Sequence, residues 1–299
     1  MKKYYIGIDI GGTNLRIGVI DENYQVVEFN KLPTSTLSNA SDKVACLSEV
    51  ITPYINKYQK ENIIAVSMAL ASLMDKERTY IYSSPMIKGF DNIPLKHEIE
   101  AKLGVDVYLE KDVNILLLYE IYKNNLPSEG IIAGTFIGTG LGNAMCINGQ
   151  VYAGNSGTAC ELGHMAVPHL EEMCGCGKKG CIELLACGKL FTRIAQDVYH
   201  CEVKDIFTLH AKSPEVQDVI NNCAIAIANE ITILDPIYMI LGGGVVTAKD
   251  FPIEDLKSAI RVNLRYPNPR NSIKFLNAAN DQEAGVVGAA VYANQKLKQ

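Results

Sequence analysis

Tyr4-Tyr-Ile-Gly-Ile-Asp9-Ile-Gly11-Gly12-Thr13-Asn14-Leu15-Arg16-Ile-Gly-Val-Ile20 is a β-rich run interrupted by a glycine pair and then resumed. β-Branched and aromatic residues flank the turn residues, which spells a strand, a tight turn and a second strand. Asp21-Glu-Asn23 supplies the next turn, and Gln25 to Asn30 a third strand. The pattern occurs twice. Gly130-Ile-Ile-Ala-Gly-Thr-Phe-Ile137 runs into Gly138-Thr139-Gly140-Leu-Gly142, and Asn143 to Ile147 resumes as a strand before the hairpin pair Asn148-Gly149. A unit that recurs within one chain predicts two related sheet domains, and the repeat says more than either glycine run alone.

Outward from the first turn, Val44, Leu47, Val50, Ile51 and Ile55 fall at helical spacing, with Pro53 against them. Ile63 to Ala71 reads as a buried strand, Thr79 to Tyr82 as a short one, and Pro94 to Leu103 as a helix stopped by Gly104. Val105 to Glu110 is a strand leading through Lys111-Asp112-Val-Asn114 into a helix that ends near Tyr122. Helices over 188–199, 215–234, 253–264 and 283–296 alternate in the second half with strands at Ile237–Leu241 and Ile273–Leu276. No linker or low-complexity tract marks a boundary, so the repeat alone sets it near residue 115.

A chain of 299 residues with 48% hydrophobic and 20% charged residues suits a two-lobed α/β enzyme. The net charge of -5 provides no basic footprint for nucleic acid or an anionic membrane. No transmembrane helix or secretory leader is legible. Six of the nine cysteines (Cys46, Cys146, Cys160, Cys187, Cys201 and Cys223) are scattered in mostly apolar surroundings and read as reduced core thiols. That pattern fits the cytoplasm.

The other three cysteines stand in Cys174-Gly-Cys176-Gly-Lys-Lys-Gly-Cys181-Ile-Glu183, where glycines and lysines rule out a core stretch. Thiolates this close can share one tetrahedral zinc ion, and His164 in Glu161-Leu-Gly-His164 completes a Cys3His set. Four protein ligands make such a zinc structural. Glu183, two residues after Cys181, is otherwise a solvated charge, and His164 without the cysteines is an ordinary histidine. The first glycine turn exposes backbone N–H groups to a phosphate, Thr13 adds a hydroxyl, and Asp9 can hold Mg²⁺ through water. A plain hairpin is the competing reading there and at Gly138-Thr139-Gly140. Gly242-Gly-Gly244 follows a strand and suits close approach to a base or ribose, or a plain connection to a helix. Asp112 follows a strand at the carboxyl edge of a sheet, where ligands bind in open α/β folds, so it is either a general base or a helix cap.

Taken together, Asp9-Ile-Gly-Gly-Thr13, Lys111-Asp112-Val-Asn114, Gly138-Thr139-Gly140, Glu161-Leu-Gly-His164, the cysteine cluster with Glu183 and Leu241-Gly-Gly-Gly244 resemble the ROK family of repressors and sugar kinases over essentially the whole chain. The resemblance implies an α/β, two-lobed, actin-like (ribonuclease H-like) ATPase fold with duplicated sheet domains and a zinc-bound loop. It places the active site in the cleft between the lobes. The expected domains are 1–115 plus the closing helix 286–299, which makes the first lobe discontinuous, and 116–285 with the zinc motif. ATP, Mg²⁺ and a structural Zn²⁺ are the implied cofactors, and a hexose phosphorylated at its 6-hydroxyl is the substrate. Carried over by position, Asp112 is the general base, and Lys111, Glu161, His164 and Glu183 contact the sugar. Asp9, Gly11, Gly12, Thr13, Asn14, Gly138, Thr139 and Gly140 face the phosphates, Gly243 and Gly244 the adenosine, and His164, Cys174, Cys176 and Cys181 the zinc.

Departures from the family pattern bear on the sugar. Glucose-directed members carry Asn before the catalytic Asp where this chain has Lys111, and a glycine–proline turn where it has Ser67-Met-Ala-Leu-Ala-Ser72. Lys111 and the segment Asp75-Lys-Glu-Arg-Thr79 resemble the D-allose kinase branch, with glucose, N-acetylmannosamine and fructose as alternatives. Repressors of the family place a DNA-binding domain ahead of the phosphate turn, which here begins at Asp9, so a kinase is expected rather than a sugar-responsive regulator. A homodimer is expected, with no nucleic acid or membrane partner.

Overall fold

The computed structural model describes residues 2–299. Its principal elements, in chain order, begin with strands β1 (Tyr4–Ile10), β2 (Asn14–Asp21) and β3 (Val26–Pro33). Helix α1 (Lys43–Tyr58), strand β4 (Ile63–Leu70), helix α2 (Leu95–Leu103), strand β5 (Val107–Lys111) and helix α3 (Asp112–Lys123) follow. The second half holds β6 (Ile131–Ile137), β7 (Leu141–Ile147), α4 (Pro214–Leu234), β8 (Tyr238–Gly242), α5 (Ile253–Val262), β9 (Lys274–Asn277) and α6 (Ala284–Leu297).

These elements form two compact units. One takes the chain up to Pro127, together with Gln150–Ala159 and Asp281–Gln299; the other takes Ser128–Gly149 and Cys160–Asn280. The expected boundary near residue 115 is thereby corrected, because it would cut α3. That helix stays with the first unit because it packs on α6, where a Cβ at Gly288 would lie 2.3 Å from the Ile115 carbonyl oxygen. The segment Gln150–Ala159 also belongs to the first unit, which the repeat did not foretell.

In the first unit the strand order is β3-β2-β1-β4-β5. β1 is antiparallel to β2 and parallel to β4, and β4 is parallel to β5. One face of β1 (Ile6, Ile8, Ile10) packs with Leu47 and Ile51 of α1 and Ile99 of α2. The other face packs Tyr5 against Val286, Val287 and Ala290 of α6. Gly7 makes that second contact possible, since a Cβ there would fall 2.1 Å from the Val286 carbonyl oxygen. Pro53 is tolerated inside α1 because it lies on the exposed face, where water can serve the carbonyl four residues back. Ser67 to Leu70 is strand, so the expected turn at Ser67–Ser72 is confined to its end. Likewise β5 runs through Lys111 and α3 starts at Asp112, leaving no loop between them.

The second unit repeats the theme. β6 and β7 form the antiparallel hairpin, β8 lies parallel to β6, and β9 parallel to β8. Its core joins Ala133 and Ile137 of β6 to Ile220, Ala224 and Ile231 of α4 and to Leu256 and Ile260 of α5. The chain after Gly244 is a series of turns, and the next helix waits until Ile253, so no helix opens directly behind the triple glycine. Among the described residues no helix is long and apolar enough to cross a membrane, and all nine cysteines are free.

Candidate active site

In the first unit the antiparallel register sets Arg16 directly opposite Asp9, and Arg16 Nη1 donates to Asp9 Oδ2 at 2.8 Å. Burial pushes the Asp9 carboxyl up to about 6; the Arg16 guanidinium opposes that shift, and the nearby Asp112 carboxylate adds to it. One Asp9 oxygen is thus held by a cation, which leaves the other for an outer contact through water. Gly12 and Thr13 are exposed at the tip, and the turn is braced from behind by Thr34, whose Oγ1 donates to the Gly11 carbonyl (2.6 Å) and whose N–H donates to that of Thr13 (2.9 Å). Asn14 opens β2, and its carbonyl accepts the Gly11 N–H at 3.0 Å.

Asp112 is the first residue of a twelve-residue helix, with Oδ1 accepting the Val113 N–H at 2.8 Å. A carboxylate there is favoured by the helix N-terminus. The capping position itself is Lys111, in extended conformation (φ -61°, ψ 139°). Lys111 is buried, and its Nζ lies 3.3 Å from the Ala159 carbonyl oxygen it donates to. Beneath it, Glu110 Oε1 accepts from Arg78 Nε (2.8 Å), the Lys111 N–H (2.8 Å) and Asn114 Nδ2 (3.0 Å). Tyr292 of α6 hydrogen-bonds the same carboxylate; burial and then the Glu110 charge hold its phenol well above the usual range.

The second unit gathers the remaining residues. Gly138, Thr139 and Gly140 form the tip of the β6–β7 hairpin, closed by a Gly138 N–H to Gly140 carbonyl bond of 3.0 Å. Gly243, at φ +91°, lies against the end of β6: a Cβ there would be 2.4 Å from the Ile137 carbonyl oxygen. The triple glycine and the second turn are therefore neighbours, and a Cβ at Gly138 or Gly244 would meet nothing within 4 Å. Glu183 reaches the same turn: its Oε2 accepts the Leu141 N–H at 2.9 Å and would stand 2.3 Å from a Cβ on Gly140. The residue expected to face a sugar thus has one oxygen on the second turn.

Tight turns fold the cysteine loop on itself, with Cys174 N–H on the Lys178 carbonyl (2.9 Å) and Gly177 N–H on that of Cys174 (3.0 Å). A tetrahedral zinc with Zn–S bonds near 2.3 Å separates two thiolates by roughly 3.8 Å. Cys176 and Cys181 Sγ are 3.6 Å apart, Cys174 Sγ and His164 Nδ1 3.7 Å, and all four donors lie within 4.8 Å of one another. That set fits such an ion. Burial, followed by hydrogen bonding with the neighbouring thiols, pushes Cys181 up to about 12, so a cation is needed to hold it as thiolate. With Nδ1 turned to the cysteines, His164 Nε2 faces Glu161 Oε2 at 3.8 Å. The Leu162 N–H between those two residues donates to Asn143 Oδ1 (2.8 Å); Asn143 Nδ2 donates in turn to buried Glu230 (2.8 Å), which also accepts from Thr135 Oγ1 (3.1 Å).

The expected residues thus collect into one group per unit: Asp9, Gly11, Gly12, Thr13, Asn14, Lys111 and Asp112 in the first, the remainder in the second. Glu110, Arg78, Asn143 and Glu230 lie behind these groups and were not picked out by motif. The signal for Glu110, Asn143 and Glu230 is polarity inside strand or helix runs that are otherwise largely apolar, whereas Arg78 stands in the polar turn that starts at Asp75.

The family pattern named ROK matches residues 5–296. The chain belongs to the ROK family. This ROK protein is 29% identical over 303 residues to an N-acetyl-D-glucosamine kinase of Vibrio parahaemolyticus, spanning 96% of this chain and 98% of the relative. It is 25% identical over 313 residues to a glucokinase of Thermotoga maritima, spanning 98% of each. Its fold matches the crystal structure of a ROK family glucokinase from Streptomyces griseus in complex with glucose and AMPPNP, with TM-score 0.80 and 26% identity over 98% of this chain and 99% of that one. The two-sheet α/β architecture is that of the ROK kinases.

Proposed function

We propose that this ROK chain is an ATP-dependent hexose kinase acting on the 6-hydroxyl, and that the hexose is D-allose. The observation that carries the reaction is the place of Asp112, at the head of α3 and at the carboxyl edge of the sheet, close enough to Asp9 for the two charges to interact. A carboxylate there takes the proton of the 6-hydroxyl while that oxygen attacks the γ-phosphorus, the bond to the β-phosphate oxygen breaks and ADP leaves. The Gly12 amide with Thr13 and Asn14, and the second turn with Thr139, donate to phosphate oxygens, while Gly11 shapes the first turn through its bond to Asn14; Gly243 and Gly244 lie beside the adenosine. Mg²⁺ bound with the nucleotide neutralises phosphate charge, and Asp9 would hold it through water, an outer contact compatible with its bond to Arg16. Glu161, His164 and Glu183 accept or donate to the sugar hydroxyls. His164, Cys174, Cys176 and Cys181 would hold a zinc that is structural, and elemental analysis should find one zinc per chain; a metal-free, fully folded protein would remove it from the account.

D-Allose is favoured because the two features that resemble the D-allose kinase branch, Lys111 and the segment Asp75–Thr79, meet at Glu110. Arg78, of that segment, ion-pairs with Glu110, and the Lys111 main-chain N–H donates to the same carboxylate. The relative from Vibrio favours N-acetyl-D-glucosamine as a second reading. A panel of allose, glucose, mannose, fructose, N-acetylmannosamine and N-acetylglucosamine, ranked by kcat/KM from ADP release, decides between them. Allose is expected first; an N-acetylated sugar in first place supports the second reading, and silence across the panel overturns the kinase.

A further inference from the structure

We propose that Arg78 is a positioning residue of the active centre: it sets the Lys111–Asp112 junction through Glu110 and simultaneously fastens the strap Gly157–Ala159. The inference rests on the kinase reading above and names the device that holds its base in place.

Arg78 sits at φ +58°, in the left-handed region that residues with a side chain seldom occupy. Asp75 holds the turn there: its Oδ1 accepts the Thr79 and Tyr80 N–H groups (2.7 and 2.8 Å), and its Oδ2 the Thr79 hydroxyl (2.6 Å). The result is a guanidinium in the interior of the first unit, with the residue only 4% exposed. Nε donates to Glu110 Oε1 (2.8 Å), and Nη1 to the carbonyls of Asp75 (2.9 Å) and Gly157 (2.8 Å).

Two residues along the same strap, the Ala159 carbonyl takes the Lys111 ammonium. Two cations, the ion-pair partner of Glu110 and its neighbour in the chain, thus hold two carbonyls of one short segment. Ala159 is followed by Cys160 and then Glu161, so the strap leads directly into residues expected at the sugar. On the other side, the Glu110 oxygen that Arg78 holds also accepts the Lys111 N–H, the amide that precedes Asp112.

Stability alone does not explain this choice. Arg78 Nη2 and Asn114 Oδ1 are buried without a partner, and a well-packed apolar pair commonly serves a core as well as a buried ion pair. What a planar guanidinium provides, and a lysine does not, is several donors in fixed directions. Here they reach a carboxylate and two carbonyls at once.

The test compares wild type with Arg78→Lys and with the double variant Arg78→Met/Glu110→Gln, which leaves no unpaired buried charge and so protects the fold. Hydrogen exchange of the amides at 157–159, thermal unfolding, and kcat and KM for the hexose and for ATP are measured on each. In the double variant the strap amides should exchange ~10-fold faster, and kcat for the hexose should fall ~10-fold or more, the order expected from a misplaced base. KM for ATP should stay within about twofold, and Arg78→Lys, with charge but no fork, should recover little. A purely structural role would lower the unfolding temperature while leaving kcat per folded molecule and strap exchange unchanged; that result overturns the proposal. If wild type transfers phosphate to no hexose, the kinase reading fails by itself, and the exchange rates still decide whether Arg78 clamps the strap.

Discussion

Glu110 and Glu230 are buried carboxylates that stand behind a site segment, one in each unit, and they are handled differently. Glu110 lies under Lys111 and Asp112 and is ion-paired with Arg78. Glu230, on α4, is 5% exposed, and its partners are neutral: Thr135 and Asn143, which face each other across the β6–β7 hairpin. Without a cation, burial pushes its carboxyl up to about 7, although both hydrogen bonds pull the other way. The two arrangements do the same geometric work, each passing from carboxylate to a backbone amide of the site segment, Lys111 N–H directly and Leu162 N–H through Asn143. The difference is electrostatic. An ion pair underlies the segment proposed to move a proton, and a carboxyl with neutral partners and a raised pKa underlies the segment proposed to bind hydroxyls.

The contrast is broken most severely at the residue it is built around. On its proposed role, Asp112→Asn should keep hexose binding while kcat falls by roughly 10²–10⁴-fold, the usual contribution of a general base. Near-normal turnover by a folded variant would remove the proton-handling half of the comparison. Next comes the ion pair. Arg78→Met alone leaves Glu110 buried and unpaired, which should cost about 3–5 kcal/mol in urea unfolding, whereas pairing it with Glu110→Gln should recover most of that loss. Equal stability of the single and double variants would show that Arg78 does not compensate Glu110.

Much of this frame was legible in the chain. The alternation of Ile6, Ile8 and Ile10, the paired glycine turns and the closing helical run all follow from local pattern, and the observed strands lie within a few residues of expectation. Cys174, Cys176, Cys181 and His164 were also brought together by spacing. What escaped depends on partners remote in sequence. The boundary was misplaced because α3 belongs with α6, more than 150 residues later, and the fit of Gly288 against Ile115 leaves no local trace. Arg78 stood in a segment singled out for its resemblance to one branch of the family, yet its partner comes from β5, which reaches Arg78 only once β4 and β5 pair. Glu110 and Glu230 were invisible for a simpler reason: a lone glutamate is ordinarily a surface residue, and burial reverses that expectation only after the fold is known.

Glu230 gives the gentlest way to sharpen the comparison, because its effect depends on pH. A carboxyl whose folded pKa is raised binds its proton more tightly in the native state. Its contribution to stability is therefore full below the ordinary value of 4.5 and declines as pH rises through about 7. Glu230→Gln has no proton to lose. Its amide oxygen can still accept from Asn143, and its NH2 can donate to the Thr135 hydroxyl, so the geometry toward Leu162 survives. The variant should match wild type near pH 5 and exceed it by on the order of 2–3 kcal/mol near pH 8, measured by urea unfolding at fixed pH. Asp9, raised to about 6, titrates in the same direction, but it is common to both proteins and cancels in the difference. A difference that does not change between pH 5 and 8 would mean that Glu230 keeps one protonation state throughout, and its neutral partners would then not give it a response to pH.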